Sequence, residues 1–426
     1  MYILLCAVVA VFLFSGTGVA DVSGYDVLGK KVALVWPELA EKVNSVYAYD
    51  REAFRPDGVR AGSFDVYGTA AVDVVFNDNI FADEVKREAD ILTQVKPALI
   101  AKSDWGRHEI VAETSADIGT YADNSDENYT DYNAHVSGRL DVVRNSYAVG
   151  GIGLRHLHEA RGTPNATTGT TQPTTYDVTT GQVGYVHAPG RFSVSGLVDY
   201  TDTDYADNGA VNNDDRDRTR MDYTTQVGYQ VTPAYQAFLR GTYTDVAYAA
   251  ATDDNGFNRD SDGYRAVTGV ALDLGGKLRG EVFAGYMARV YADAQLADVT
   301  EVTYGADILW NINGLTSVQG RFNRTVEETM ENGAAAYIST GGDIRLEHEF
   351  RRYFLASASV GLTNNAYTGG ISRREDDYTT AGLETRYLFN KCFSAGFAYN
   401  YTQRDSTVAG DDYDRNRVML KLTGAL

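Results

Sequence analysis

Between Leu278 and Val290 the chain reads LRGEVFAGYMARV, and its apolar and polar positions alternate with period two. Leu278, Gly280, Val282, Ala284, Tyr286, Ala288 and Val290 fall on one face. Arg279, Glu281, Phe283, Gly285, Met287 and Arg289 fall on the other. A helix would spread these charges around its circumference, whereas a strand separates them. The same alternation sets Tyr132, Ala134, Val136, Gly138, Leu140 and Val142 against Asn133, His135, Ser137, Arg139 and Asp141. Near the end it sets Val418, Leu420 and Leu422 against Arg417, Lys421 and Thr423. From Phe64 onward the pattern predicts long strands with one apolar and one polar face.

The connections sort by length. Short ones, such as Ala188-Pro189-Gly190, Thr232-Pro233-Ala234, Gly275-Gly276-Lys277, Asn313-Gly314 and Phe389-Asn390-Lys391, alternate with long polar ones. The long ones run over His158–Thr174, Thr201–Arg218, Tyr248–Asp262, Asn364–Asp377 and Asp405–Asp414. A soluble sandwich has no reason to sort its loops by parity. The pattern predicts an all-β protein, a transmembrane antiparallel up-and-down β-barrel of about 18 strands, with 16 as the other even count. Short turns would face the periplasm and long loops the outside, which puts both termini on the periplasmic side. A degenerate motif at Thr180, Thr224, Thr303, Thr340 and Thr379 recurs with the strand–turn–strand–loop unit. A propeller has a similar period, but its strands are shorter.

Residues 1–20 carry an apolar run, Ile3 to Phe14, followed by Gly18-Val19-Ala20, and read as a signal peptide. The run is short for a membrane-spanning helix. Residues 21–62 read as a periplasmic lead-in, with a short helix over Trp36–Val43, and residues 63–426 as the barrel. Composition agrees: the chain has 30 tyrosines, 42 glycines and seven prolines in 426 residues, the profile of strands and turns.

The inward charges are the informative chemistry. Alternation places Arg139, Arg155, Arg240, Arg279, Arg289, Arg321, Arg345, Arg386 and Lys421 toward the lumen, with Glu109, Glu113, Asp141, Asp199, Glu281, Asp307, Asp343, Glu347 and Glu384. Against lipid at the midplane an Arg would cost about 2–4 kcal/mol. These side chains form either a selectivity ladder for anionic or sugar-like solutes or a network of cross-strand ion pairs. The two signs nearly balance on this reading, which argues against a strong ion filter. The net charge of −20 would then reside in the loops. It argues against nucleic acid as a partner. Acidic loops are solvated, or bridge through divalent cations to lipopolysaccharide phosphates. Tyr129, Tyr132, Tyr176, Tyr200, Tyr223, Tyr243, Tyr264, Tyr304, Tyr378, Tyr399 and Tyr413 cluster near strand ends and read as aromatic girdles rather than a sugar-stacking track.

No nucleophile motif such as GxSxG is present. His156 and His158 beside Glu159 are the nearest approach to a catalytic group. Asn258–Gly263 opens like an EF-hand loop, but its twelfth position is Gly269, so the site is rejected. No catalytic residue, metal ligand or cofactor is assigned.

Arg55-Pro56-Asp57-Gly58-Val59-Arg60-Ala61-Gly62-Ser63-Phe64, Asn77-Asp78-Asn79-Ile80-Phe81 and Lys102-Ser103-Asp104-Trp105 resemble the putative β-barrel porin 2 group of proteobacterial outer-membrane proteins. The final stretch from Asp414 to Thr423 resembles how members of that group end. The resemblance implies an outer-membrane barrel and says little about cargo. It also suggests a role beside surface-polysaccharide genes. The expected function is a porin-like passive channel for small polar solutes. The second reading is an accessory barrel in export or anchoring of a surface polysaccharide. Expected partners are outer-membrane lipid, lipopolysaccharide and the barrel-assembly machinery.

Overall fold

The computed structural model describes residues 45–426, apart from 165, 167–169 and 210. The signal-like segment 1–20 and the helix expected over Trp36–Val43 lie outside the described residues. Eighteen antiparallel strands, each of 13 to 16 residues, run from β2 (Phe64–Asn77) to β19 (Tyr413–Ala425) in one closed sheet. The last strand returns to the first, with Leu422 opposite Val72 and Leu420 opposite Val74. Closure satisfies the backbone groups that an open edge would expose to lipid. A three-residue strand, β1 (Val59–Ala61), pairs with Phe64–Val66, the part of β2 that β19 does not reach.

The two faces of each strand separate as the alternation requires. Leu420 and Leu422 are 61% and 63% exposed, while Met419, next to Leu420 on the opposite face, is 5% exposed. Val136, Leu140, Val282, Tyr286, Val302 and Trp310 are exposed on the same outer surface. These apolar side chains need a hydrocarbon solvent, because a patch of this extent is not left facing water. Pro97 is tolerated inside β3 (Asp90–Ser103). The ladder to β4 (Glu109–Tyr121) skips there, from Val95 opposite Ile118 to Ala98 opposite Ser115, so the missing N–H is spared a partner.

The tight turns lie at one rim and the long loops at the other. Between β5 (Tyr129–Val143) and β6 (Ser146–His158) the ladder shifts register, and Asn145 takes φ +58°. Asn is one of the few residues that enters that region at low cost. Two long loops are shorter than expected. The segment Asn364–Asp377 is mostly strand: β16 (Phe354–Thr368) pairs Asn365 with Asp376 and Ala366 with Glu375 of β17 (Glu375–Leu388). Asn365 and Asp376 are fully buried. Their polarity belongs to the lumen face, which sequence reading took for a loop. Likewise β8 (Phe192–Tyr205) runs to Tyr205 before the acidic loop begins.

Candidate channel lumen

The inward faces enclose a cavity of about 2120 Å³. Its lining runs from Tyr47, Arg51 and Phe54 at the turn rim to Arg161, Pro164 and Met330 at the loop rim. Arg155, Arg240, Arg279, Glu281, Arg289, Asp307, Arg321, Asp343, Arg345, Glu384, Arg386 and Lys421 line it. Arg139 and Glu347 are not among the lining residues. Arg139 is bound to Asp141 at 2.9 Å and covers the Tyr147 ring at 4.2 Å. Glu347 is turned to Ser317 and to the N-terminal segment.

Most of these charges are matched across strands. Arg240 forks onto Glu281 at 3.2 and 2.9 Å, and Arg321 forks onto Asp343 at 3.1 and 3.2 Å. Arg289 meets Glu328 at 3.0 Å. Glu384 lies 3.3 Å from Arg345, 3.7 Å from Lys421 and 3.9 Å from Arg386. Arg155 and Arg417 make no ion pair among the described residues.

The near-balance of charge expected from alternation does not hold. Nineteen Lys and Arg and fourteen Asp and Glu line the cavity, in a chain whose net charge is −20. The alternation over the stretches above does not point to Lys96, Arg161, Arg216, Arg218, Arg220, Arg265 or Arg415, which also line the cavity. Extending the last strand's alternation two residues back from Arg417 reaches Arg415. Arg161 and Arg216 come from loops, where no period exists to read.

The loop after β6 folds inward. Arg161 forks onto Glu127, Nε to Oε2 at 3.0 Å and Nη2 to Oε1 at 2.7 Å. Its carbonyl accepts from Arg415 Nη1 at 3.2 Å, and the carbonyl of Gly162 accepts from the Tyr413 hydroxyl at 3.2 Å. Gly162 has φ +82°, and a Cβ there would stand 2.6 Å from that of Ala82 and 2.8 Å from the Tyr413 ring. Only glycine fits so close a crossing. The loop thus spans from β6 to β19 and narrows the cavity below the loop rim.

The N-terminal segment enters at the opposite rim. Residues 45–56, expected to belong to a lead-in outside the barrel, reach its inner wall. The Val46 N–H donates to Ser317 Oγ and the Tyr47 N–H to Glu347 Oε2, both at 2.9 Å. Val46 and Tyr47 are buried with Leu355 and against Leu388. The guanidinium groups of Arg345 and Arg386 lie 5.3 and 5.0 Å from the Tyr47 ring. Burial, with Glu384 nearby, pushes the Tyr47 phenol up to about 12.

Tyr129, Tyr176, Tyr378 and Tyr413, assigned to aromatic girdles, turn inward instead. The Tyr129 hydroxyl accepts from Gln94 at 2.7 Å, and all four border the cavity. Tyr129, Tyr378 and Tyr413 share parity with the inward charges of their strands and Tyr176 with the buried Val178, and a phenol satisfies its hydroxyl better there than in lipid. Tyr132, Tyr223, Tyr264 and Tyr304 keep the outward, exposed position. The histidines do not converge. His156 stacks on Tyr132 and pairs with Asp177, whereas His158 stacks on Tyr129 and meets Asp131. Glu159 is committed to Arg216. Among the described residues no group of three or more His, Cys, Asp or Glu could hold a metal ion.

A family model described as "Putative beta-barrel porin 2" matches residues 52–426. No curated protein matches in sequence. The chain is similar in structure to OccK3 (OpdO) of Pseudomonas aeruginosa, at 14% identity and TM-score 0.45, covering 85% of this chain and 96% of that one. It is also similar to the outer membrane protein opdK of Pseudomonas aeruginosa, at 10% identity and TM-score 0.45, covering 85% and 99%. A BenF-like porin from Pseudomonas fluorescens Pf-5 is similar at 10% identity and TM-score 0.46, covering 85% and 99%.

Proposed function

Because this chain belongs to the putative β-barrel porin 2 family, we propose that its lumen conducts small polar solutes and favours anions among them. The protein is a porin-like channel of the outer membrane, and family and fold point to a channel rather than an enzyme. The observation that carries the solute preference is the cation surplus of the lining inside an acidic chain. Low-dielectric walls focus that surplus on any ion that enters. Arg155, Arg240, Arg279, Glu281, Arg289, Asp307, Arg321, Asp343, Arg345, Glu384, Arg386 and Lys421 are the pore-lining charges of this reading, with Arg139 and Glu347 holding the wall behind them. Arg155 and Arg417, which no carboxylate offsets, would attract anions most.

The accessory role in polysaccharide export or anchoring is not favoured, because a polar cavity lined from rim to rim suits the passage of solutes more directly. Loop-length parity supports a periplasmic position for the turn rim and both termini. The outer apolar surface supports direct contact with outer-membrane lipid and lipopolysaccharide.

Planar-bilayer recording of the purified full chain tests the reading. In a tenfold KCl gradient the reversal potential should carry the sign of anion preference. Arg155→Gln with Arg417→Gln should move it toward zero. Absence of conductance steps would remove the channel reading, and cation preference would remove the anion reading.

A further inference from the structure

The docked N-terminal segment borders the cavity at the turn rim without belonging to any barrel strand. Its contacts are specific. Two consecutive backbone N–H groups, of Val46 and Tyr47, are each received by a lumen-facing side chain, Ser317 and Glu347. Those acceptors are tied to one another, the Ser317 hydroxyl donating to Glu347 at 3.2 Å. A few residues on, Arg51 closes on Glu349 at 2.6 Å with both side chains nearly buried, and also donates to the Val46 carbonyl at 2.8 Å. Tyr47 is 4% exposed, although it belongs to no strand.

We infer that Tyr47 anchors residues 45–56 as a mouthpiece that sets the size limit of the channel at the turn rim. Tyr47, Arg51, Phe54 and Pro56 border the cavity themselves. The segment therefore narrows the opening and leaves a path beside it. Its polar attachments suit release. Each can be replaced by water when the segment leaves, so undocking costs chiefly the burial of Val46 and the Tyr47 ring and the cation–π contacts of that ring. A strand of the barrel has no such exit, because its backbone bonds have no substitute in lipid.

The docking and the size limit are separable. The size limit rests on the channel reading; the docking does not. Limited trypsin digestion of the full chain in detergent micelles reads docking alone, by cleavage after Arg51. The wild-type bond should resist while the barrel stays heat-modifiable. Tyr47→Ala should be cut at least about tenfold faster, since cleavage follows the population of the open form. Tyr47→Phe keeps the ring and should stay within about threefold of wild type, as only the hydroxyl contacts to the Glu384 carbonyl and Ser357 are lost. Rapid cleavage of the wild-type bond, or equal resistance in Tyr47→Ala, would overturn the docking. The size limit is read in planar bilayers with neutral polyethylene glycols of graded size, which lower conductance only when they enter. Tyr47→Ala should admit larger polymers than wild type or Tyr47→Phe. The same cut-off in all three would overturn the size limit even with docking upheld. Absence of conductance in all three would instead remove the channel reading.

Discussion

Arg161 and Glu127 meet as a two-pronged ion pair inside the loop-rim opening, with side chains 13% and 4% exposed. One comes from the inward loop after β6 and the other from the turn before β5. This pair and the Arg415 and Tyr413 contacts hold the loop across the lumen. Glu127→Ala leaves the guanidinium without its partner, worth about 3–5 kcal/mol if nothing relaxes. The loop can swing outward, so the expected result is a larger single-channel conductance with a modest fall in unfolding temperature. Gly162→Ala should give the same phenotype, since its Cβ cannot coexist with Ala82 and Tyr413.

The outer and inner faces of β19 give a paired test of register. Leu422 is exposed toward lipid and Thr423 lies on the lumen side. Leu422→Arg should cost about 2–4 kcal/mol if it lies near the bilayer midplane and impair assembly, whereas Thr423→Arg should assemble normally. Heat-modifiability on gels compares the two directly.

How far the sequence reveals the molecule depends on periodicity. Most charges that alternation turns inward border the cavity, while Glu109, Glu113, Arg139, Asp141 and Glu347 do not; period two admits only two faces, and lipid excludes charge from one of them. Tyrosine type does not choose between the faces: an aromatic ring is acceptable on both, so only parity with the inward charges places Tyr129 and Tyr413. Asn365 and Asp376 read as loop because a polar run near a rim resembles one. The inward fold of Arg161 and the docking of Tyr47 leave no periodic trace. They depend on contacts with residues about 30 to 300 positions away in the chain.

Selectivity can be tuned with little effect on folding at the Arg321–Asp343 pair. Both side chains are about a third exposed to the lumen, so the pair contributes about 0.2–1 kcal/mol. Asp343→Asn should strengthen anion preference, seen as a larger reversal potential, while the unfolding temperature stays near wild type.

Alkaline pH should release the mouthpiece. Burial, and then the charge of Glu384, raise the Tyr47 phenol from 10.0 to about 12. The docked state therefore favours the neutral phenol. Docking is at full strength below pH 10 and weakens as pH climbs from 10 toward 12. Conductance of the wild-type channel should rise across that window. A Tyr47→Phe channel, which has no proton to lose there, should show a flat profile once the response of the other tyrosines is subtracted using Tyr47→Ala.

The Tyr47 amide and the Glu347 carboxylate that receives it are 300 residues apart, and Val46 and Ser317 are 271 apart. The segment belongs to the beginning of the chain, yet the wall that receives it is built by strands near the end. It sits beside β2, which reaches that wall through β19 and the seam. By that route the segment and its pocket are brought together across the same seam that joins the ring. Resistance of the Arg51 bond to trypsin would thus serve as a clock for refolding, marking the moment at which the cylinder shuts.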